Sequence, residues 1–143
     1  MSKVEDAVSA FESGFNCSQA IVRTYGPDYG LSAFDAVRVS CGLGGGMRRG
    51  GTCGAVTGAL IILGLRFGPK DASDISAKPG VYSKADEFQS RFESRCDSVN
   101  CRDLLGCDIS TPEGMEHARS SNLFRTVCPD LVRAAAEILE DMC

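Results

Sequence analysis

Cys53-Gly54-Ala55-Val56-Thr57-Gly58-Ala59-Leu60-Ile61-Ile62-Leu63-Gly64-Leu65 is the most apolar run in the chain, bounded by Arg49 and Arg66. As a helix these thirteen residues fall short of the roughly 20 needed to cross a bilayer. The run is apolar on every side, which suits a helix at the centre of a globular protein. A central helix has to be wrapped by others, and the flanking sequence supplies them.

Upstream, Val4, Ala7, Val8 and Phe11 form an i, i+3, i+4, i+7 stripe that stops at Gly14. Asn16 opens a second helix through Cys17, Ala20, Ile21 and Tyr25, ended by Gly26-Pro27. Ser32 with Asp35 three residues on resembles a capping box for a helix carrying Phe34, Val37 and Cys41. Residues 42–51 are too rich in glycine for helix, and Thr52 is placed to cap the central run. Downstream, residues 69–80 read as a surface loop, and Val81, Ala85, Phe88 and Phe92 mark an amphipathic helix. Asn100 precedes a short helical piece over 101–105. Residues 106–113 read as a loop, with a helical turn starting at Thr111-Pro112-Glu113. A last helix runs from Cys128-Pro129 through Leu131, Val132, Ala135, Ile138 and Leu139. No stretch alternates like a strand. The expectation is an all-α, compact bundle of about five to seven helices, one cysteine-rich domain over residues 1–143.

The chain has 143 residues and a net charge of −4, with no basic stripe, so nucleic acid is excluded as the main partner. Its start lacks the basic and apolar regions of a secretory signal, and no run is long enough for membrane insertion. A cytoplasmic location is expected. Eight cysteines are then too many for structural disulfides, because that compartment keeps thiols reduced. Metal binding or redox chemistry accounts for them better.

Four of them share a position. Cys17 follows Asn16, Cys53 follows Thr52, Cys101 follows Asn100 and Cys128 precedes Pro129, so each reads as a helix start. Free N–H groups and the helix dipole favour the thiolate there. Arg48 and Arg49 add positive potential to Cys53 if the glycine loop folds back, which makes Cys53 the leading candidate. The plain alternative for any one cysteine is burial as a small hydrophobe. Cys41, Cys96, Cys107 and Cys143 carry no such positional signal and read as structural or incidental.

These residues resemble a known family, the redox-active proteins named for their C…GCAxxG…C…C cysteine pattern. The resemblance is carried by Phe15-Asn16-Cys17-Ser18-Gln19-Ala20, Gly44-Gly45-Gly46-Met47 and Cys53-Gly54-Ala55-Val56-Thr57-Gly58-Ala59-Leu60. Cys101 with Leu104-Leu105-Gly106, and Cys128 with Leu131-Val132, complete it. It implies a redox role for Cys17, Cys53, Cys101 and Cys128. A similar module in a split-Soret cytochrome is thought to carry an iron–sulfur centre, which keeps a cluster on those four cysteines open here.

Two mechanisms follow. Reversible disulfides at these catalytic cysteines would make the protein a thiol–disulfide or electron-transfer oxidoreductase acting on a redox partner protein. Alternatively, four thiolates would ligate an iron–sulfur or other metal cluster. Zinc has little support, since Cys96-x₄-Cys101 lacks a second close pair. The absence of C-x-x-C removes both the thioredoxin and the ferredoxin signatures, so spacing leaves the choice open. A helical interaction module with incidental cysteines is the non-enzymatic alternative. The glycine loop lacks the lysine of a phosphate-binding loop. The single histidine, His117, sits in a polar surface-like context, and Tyr25 and Tyr29 suit packing. The sequence does not fix oligomeric state.

Overall fold

The structure, a computed structural model, describes residues 2–143. Its helices in chain order are α1 (Lys3–Glu12), α2 (Cys17–Tyr25), α3 (Ala33–Ser40), α4 (Gly54–Phe67), α5 (Lys78–Cys96), α6 (Cys101–Leu105), α7 (Pro112–Ser120), α8 (Leu123–Thr126) and α9 (Cys128–Met142). Among the described residues there is no β-strand, only an isolated antiparallel bridge between Thr52 and Asn100. The fold is all-α, with more helices than the periodicity predicts.

The central run becomes α4, which packs against α2, α5 and α9, while α1 lies across α2 and α9. Ile21, Val22, Val56, Ala59, Ile62, Leu63, Phe88, Phe92, Val132 and Leu139 are buried where these helices meet. Gly54 and Gly58 let α2 approach closely. A Cβ at Gly58 would lie 3.0 Å from the Ser18 carbonyl oxygen. A second, smaller core gathers Cys101, Leu105, Ile109 and Ala118 under α7 and α8.

Several local expectations are corrected. Helix α3 buries Ala36 and Ser40 instead of the stripe Phe34, Val37, Cys41; Phe34 is 71% exposed, with the Arg38 guanidinium over its ring, and Cys41 is exposed. Helix α5 begins at Lys78, inside the stretch read as loop. Pro79 falls in its first turn, where a missing N–H has no consequence. The turn at Thr111 extends into the whole of α7. Its sequence signal is short because only Ala118 is buried. Helix α8 has four residues, too few to show a period.

Candidate functional site

Each residue of the Asn16-Cys17-Ser18-Gln19 block has a separate task. Asn16 Oδ1 accepts from the Gln19 amide at 2.9 Å, and Gln19 Oε1 accepts from the Asn16 amide at 3.0 Å, a complete capping box. The spare amide groups tie α2 to α3: Asn16 Nδ2 donates to the Cys41 carbonyl and Gln19 Nε2 to the Val37 carbonyl. Ser18 is fully buried against Gly54 and Gly58. Cys17 is left at the first position of α2, half-buried and facing α4.

Thr52 does not cap α4. It pairs with Asn100, and Cys53 itself is the cap residue, with extended backbone. Its amide donates to the Val99 carbonyl at 2.7 Å, and the Cys101 amide donates to the Gly51 carbonyl at 2.6 Å. A non-local bridge therefore takes the place of the local cap that the sequence suggests. Cys101 and Cys128 begin α6 and α9 as expected.

Cys17, Cys53, Cys101 and Cys128 all line one cavity of roughly 170 Å³ at the seam between the two cores. Phe11, Leu105, Ile109, Phe124 and Leu131 supply its apolar wall, and Gly44, Gly45 and Arg48 part of its rim. No carboxylate or imidazole lines it. All eight cysteines are free thiols. Cys96 belongs to a different groove, between α5 and α9, and Cys41 and Cys143 are exposed. Cys107 packs at the edge of the smaller core, close enough for its charge to act on Cys101. His117 is exposed, and Tyr25 donates to Glu140, fastening α2 to α9.

The electrostatics single out Cys17, not Cys53. The Cys53 thiol donates to the Cys17 sulfur, and the amides of Gly45, Ser18 and Gly54 add to it. Together these overcome burial and hold the Cys17 thiol well below its ordinary value. Cys53 is pushed up, first by giving its proton to that hydrogen bond and then by burial and the Cys17 charge. Burial raises Cys101 to about 11 and Cys128 to about 12, with neighbouring thiolates adding to both shifts. Arg48 partly offsets the shift at Cys101. The expectation that every helix start lowers its thiol is therefore corrected: burial dominates at Cys101 and Cys128, and at Cys53 the contact with Cys17 leads and burial adds to it. Cys17 escapes because it collects three amide donors as well as a thiol.

Gly54 is fixed by the same contact. A Cβ there would lie 2.4 Å from Cys17 Sγ, so the residue after Cys53 has to be glycine for the two thiols to meet. The motif and the geometry coincide at this pair.

The fold is that of an all-α, cysteine-rich protein that gathers cysteines from four helix starts around one small cavity. The family model described as "Putative redox-active protein (C_GCAxxG_C_C)" matches residues 15–142, and the chain belongs to that family. Where the family's name is written Gly-Cys-Ala, this chain reads Cys53-Gly54-Ala55. No curated protein and no solved structure matches the chain. Among the described residues no helix is long and apolar enough to cross a membrane.

Proposed function

We propose that Cys17 and Cys53 form a reversible dithiol–disulfide couple and that the protein transfers electrons as a thiol–disulfide oxidoreductase. The observation that carries this reading is the apposition of the two residues: Cys17 and Cys53 line one cavity and meet at Gly54, where a Cβ would lie 2.4 Å from Cys17 Sγ. Their contact favours the thiolate at half-buried Cys17 and the thiol at buried Cys53. That asymmetry separates an attacking sulfur from a resolving one. The Cys17 thiolate attacks one sulfur of a partner's disulfide, forming a mixed disulfide and releasing the other sulfur as thiolate. Cys53 then loses its proton and attacks Cys17, which releases the second partner thiol. The partner's disulfide is reduced by two electrons, and Cys17 and Cys53 leave as a disulfide. Cys101 and Cys128 hold their protons under the same conditions and form the far wall of the cavity.

The test is equilibration with glutathione redox buffers, acid quenching, alkylation and peptide mapping. A Cys17–Cys53 crosslink that appears and disappears reversibly supports the couple. A Cys53→Ser protein that exchanges electrons as the wild type does would overturn it.

One observation favours a second reading, in which Cys17, Cys53, Cys101 and Cys128 hold an iron–sulfur cluster. Four soft donors, with no hard ligand among them, face one cavity, and this donor chemistry suits such a group. A bound cluster would supply one-electron transfer without an exposed thiol. Iron and acid-labile sulfide in anaerobically purified protein, with a visible charge-transfer band, would select it over the dithiol.

A further inference from the structure

The glycine loop contains a backbone feature that packing alone does not explain. Gly45, Gly46, Met47 and Arg48 take φ values of 65°, 62°, 57° and 65°, four consecutive residues in the left-handed region. Two glycines adopt it freely, but L-residues visit it as isolated positions and under constraint. The turn is closed by the Gly51 amide donating to the Gly46 carbonyl at 3.0 Å. Gly46 leaves no room for relief, since a Cβ there would fall 2.4 Å from the Gly51 amide nitrogen.

This turn determines where one charge sits. The Arg48 side chain folds back along Gly45, with Nη1 3.5 Å from where a Cβ on that glycine would be, and it lines the cavity beside the cysteines. The amide of the same Gly45 donates to Cys17. Among the described residues Arg48 makes no ion pair, whereas neighbouring Arg102 pairs with Asp108. Arg49 does not line the cavity, and its carbonyl accepts from Arg102.

We propose that Arg48 is the charge-compensating residue of the four-cysteine cavity, held over it by the left-handed turn so that its guanidinium stabilises the anionic, reduced state. Arg48 acts through the sulfurs and takes no part in bond making, so it is a positioning residue. The inference rests on the cavity being the redox centre, but not on the choice between dithiol and cluster. In either case reduction adds negative charge, and a nearby cation raises the midpoint potential.

The experiment compares midpoint potentials of the wild type, Arg48→Gln, Arg48→Lys, Arg48→Gly and Arg49→Gln at one pH and ionic strength. Arg48→Gln should shift the reduction equilibrium roughly tenfold toward the oxidised form, about 30 mV more negative for a two-electron couple. Arg48→Lys should restore the wild-type potential, and Arg49→Gln should leave it unchanged. Arg48→Gly should match Arg48→Gln in potential while unfolding at no lower denaturant concentration than the wild type, because glycine suits the left-handed backbone. A fully redox-active wild type with an unshifted Arg48→Gln protein overturns the role of Arg48 alone. Equal shifts in Arg48→Gln and Arg49→Gln also overturn it, by reducing the effect to general surface charge. A wild type with no redox transition overturns the underlying function and this inference together.

Discussion

Cys53 and Cys101 leave the same face of one antiparallel bridge. Thr52 and Asn100 are its paired residues, and the amides of Cys53 and Cys101 close it from either end, at 2.7 and 2.6 Å. Side chains alternate along extended backbone, so the residue after Thr52 and the residue after Asn100 both turn toward the cavity. Five-residue α6 has no means of fixing its own position, since so short a helix is unstable in isolation. The bridge fixes it by joining the start of α6 to the start of α4.

Amide hydrogen exchange should therefore report the bridge. The Cys53 and Cys101 amides are expected to exchange as slowly as those in the buried part of α4, although both lie at helix starts where amides ordinarily exchange fast. Exchange of the Cys101 amide at the rate of an exposed loop would mean that the bridge does not hold the two cysteines together.

Gly54→Ala tests the contact between α2 and α4 at the thiol pair. The added methyl would meet Cys17 Sγ at 2.4 Å and the Leu43 carbonyl at 3.1 Å, so one helix start has to move. A loss of about 1–3 kcal/mol in urea-measured stability is expected, as for overpacking elsewhere. Separating the sulfurs also removes the hydrogen bond that lowers Cys17, so the midpoint of its alkylation–pH profile should move up toward an ordinary thiol. An unchanged profile would show that Cys53 contributes nothing to the ionisation of Cys17.

Stability of the reduced protein should fall as pH rises above the ordinary thiol range. Cys53, Cys101 and Cys128 are raised in the folded state, so their thiols stay protonated there while the unfolded chain releases three protons. The unfolded state then binds fewer protons, and the pH derivative of unfolding free energy is negative. Cys17 has the opposite sign and adds stability between its lowered value and the ordinary one, below that window. A tenfold change in the acidity of one thiol corresponds to about 1.4 kcal/mol, so the three raised thiols together outweigh Cys17 at alkaline pH. Urea titrations of wild type and Cys128→Ser between neutral and alkaline pH should show a shallower decline in the variant. Parallel declines would remove Cys128 from the linkage.

Much of this arrangement is legible in the chain itself, because its signals are local. Asn16 with Gln19, and Pro129 after Cys128, announce helix starts through chemistry confined to four residues, and the structure has helices there. The cap at Thr52 fails because Cys53 takes the cap position and Thr52 is drawn into the bridge with Asn100, a partner the local sequence does not reveal. The apolar face of α3 fails for a related reason. Small Ala36 and Ser40 are buried because α2 comes close, while bulky Phe34 remains outside. The sign of the thiol shifts could not be read either. A helix start predicts a lowered value, and only the packed cavity shows that burial at Cys101 and Cys128, and the contact with Cys17 at Cys53, reverse it.

Ser18 offers the last test, since its polar side chain sits in the packed seam beside Gly54 and Gly58. Its hydroxyl is fully buried between α2 and α4 and has no hydrogen-bond partner. A Cβ on Gly58 would come within 3.2 Å of Ser18 Oγ, so there is little free space on that side. A buried hydroxyl left unpaired costs about 1–3 kcal/mol relative to one that is satisfied or absent. Ser18→Ala keeps the Cβ that packs on the glycines and deletes only the orphaned oxygen. The variant should be at least as stable as the wild type in urea, by about 0.5–1 kcal/mol at the favourable end, with the alkylation profile of Cys17 unchanged because its donors are backbone amides and Cys53. A clear loss of stability would mean that the hydroxyl has a partner in solution and that the seam between α2 and α4 is wetter than its packing implies.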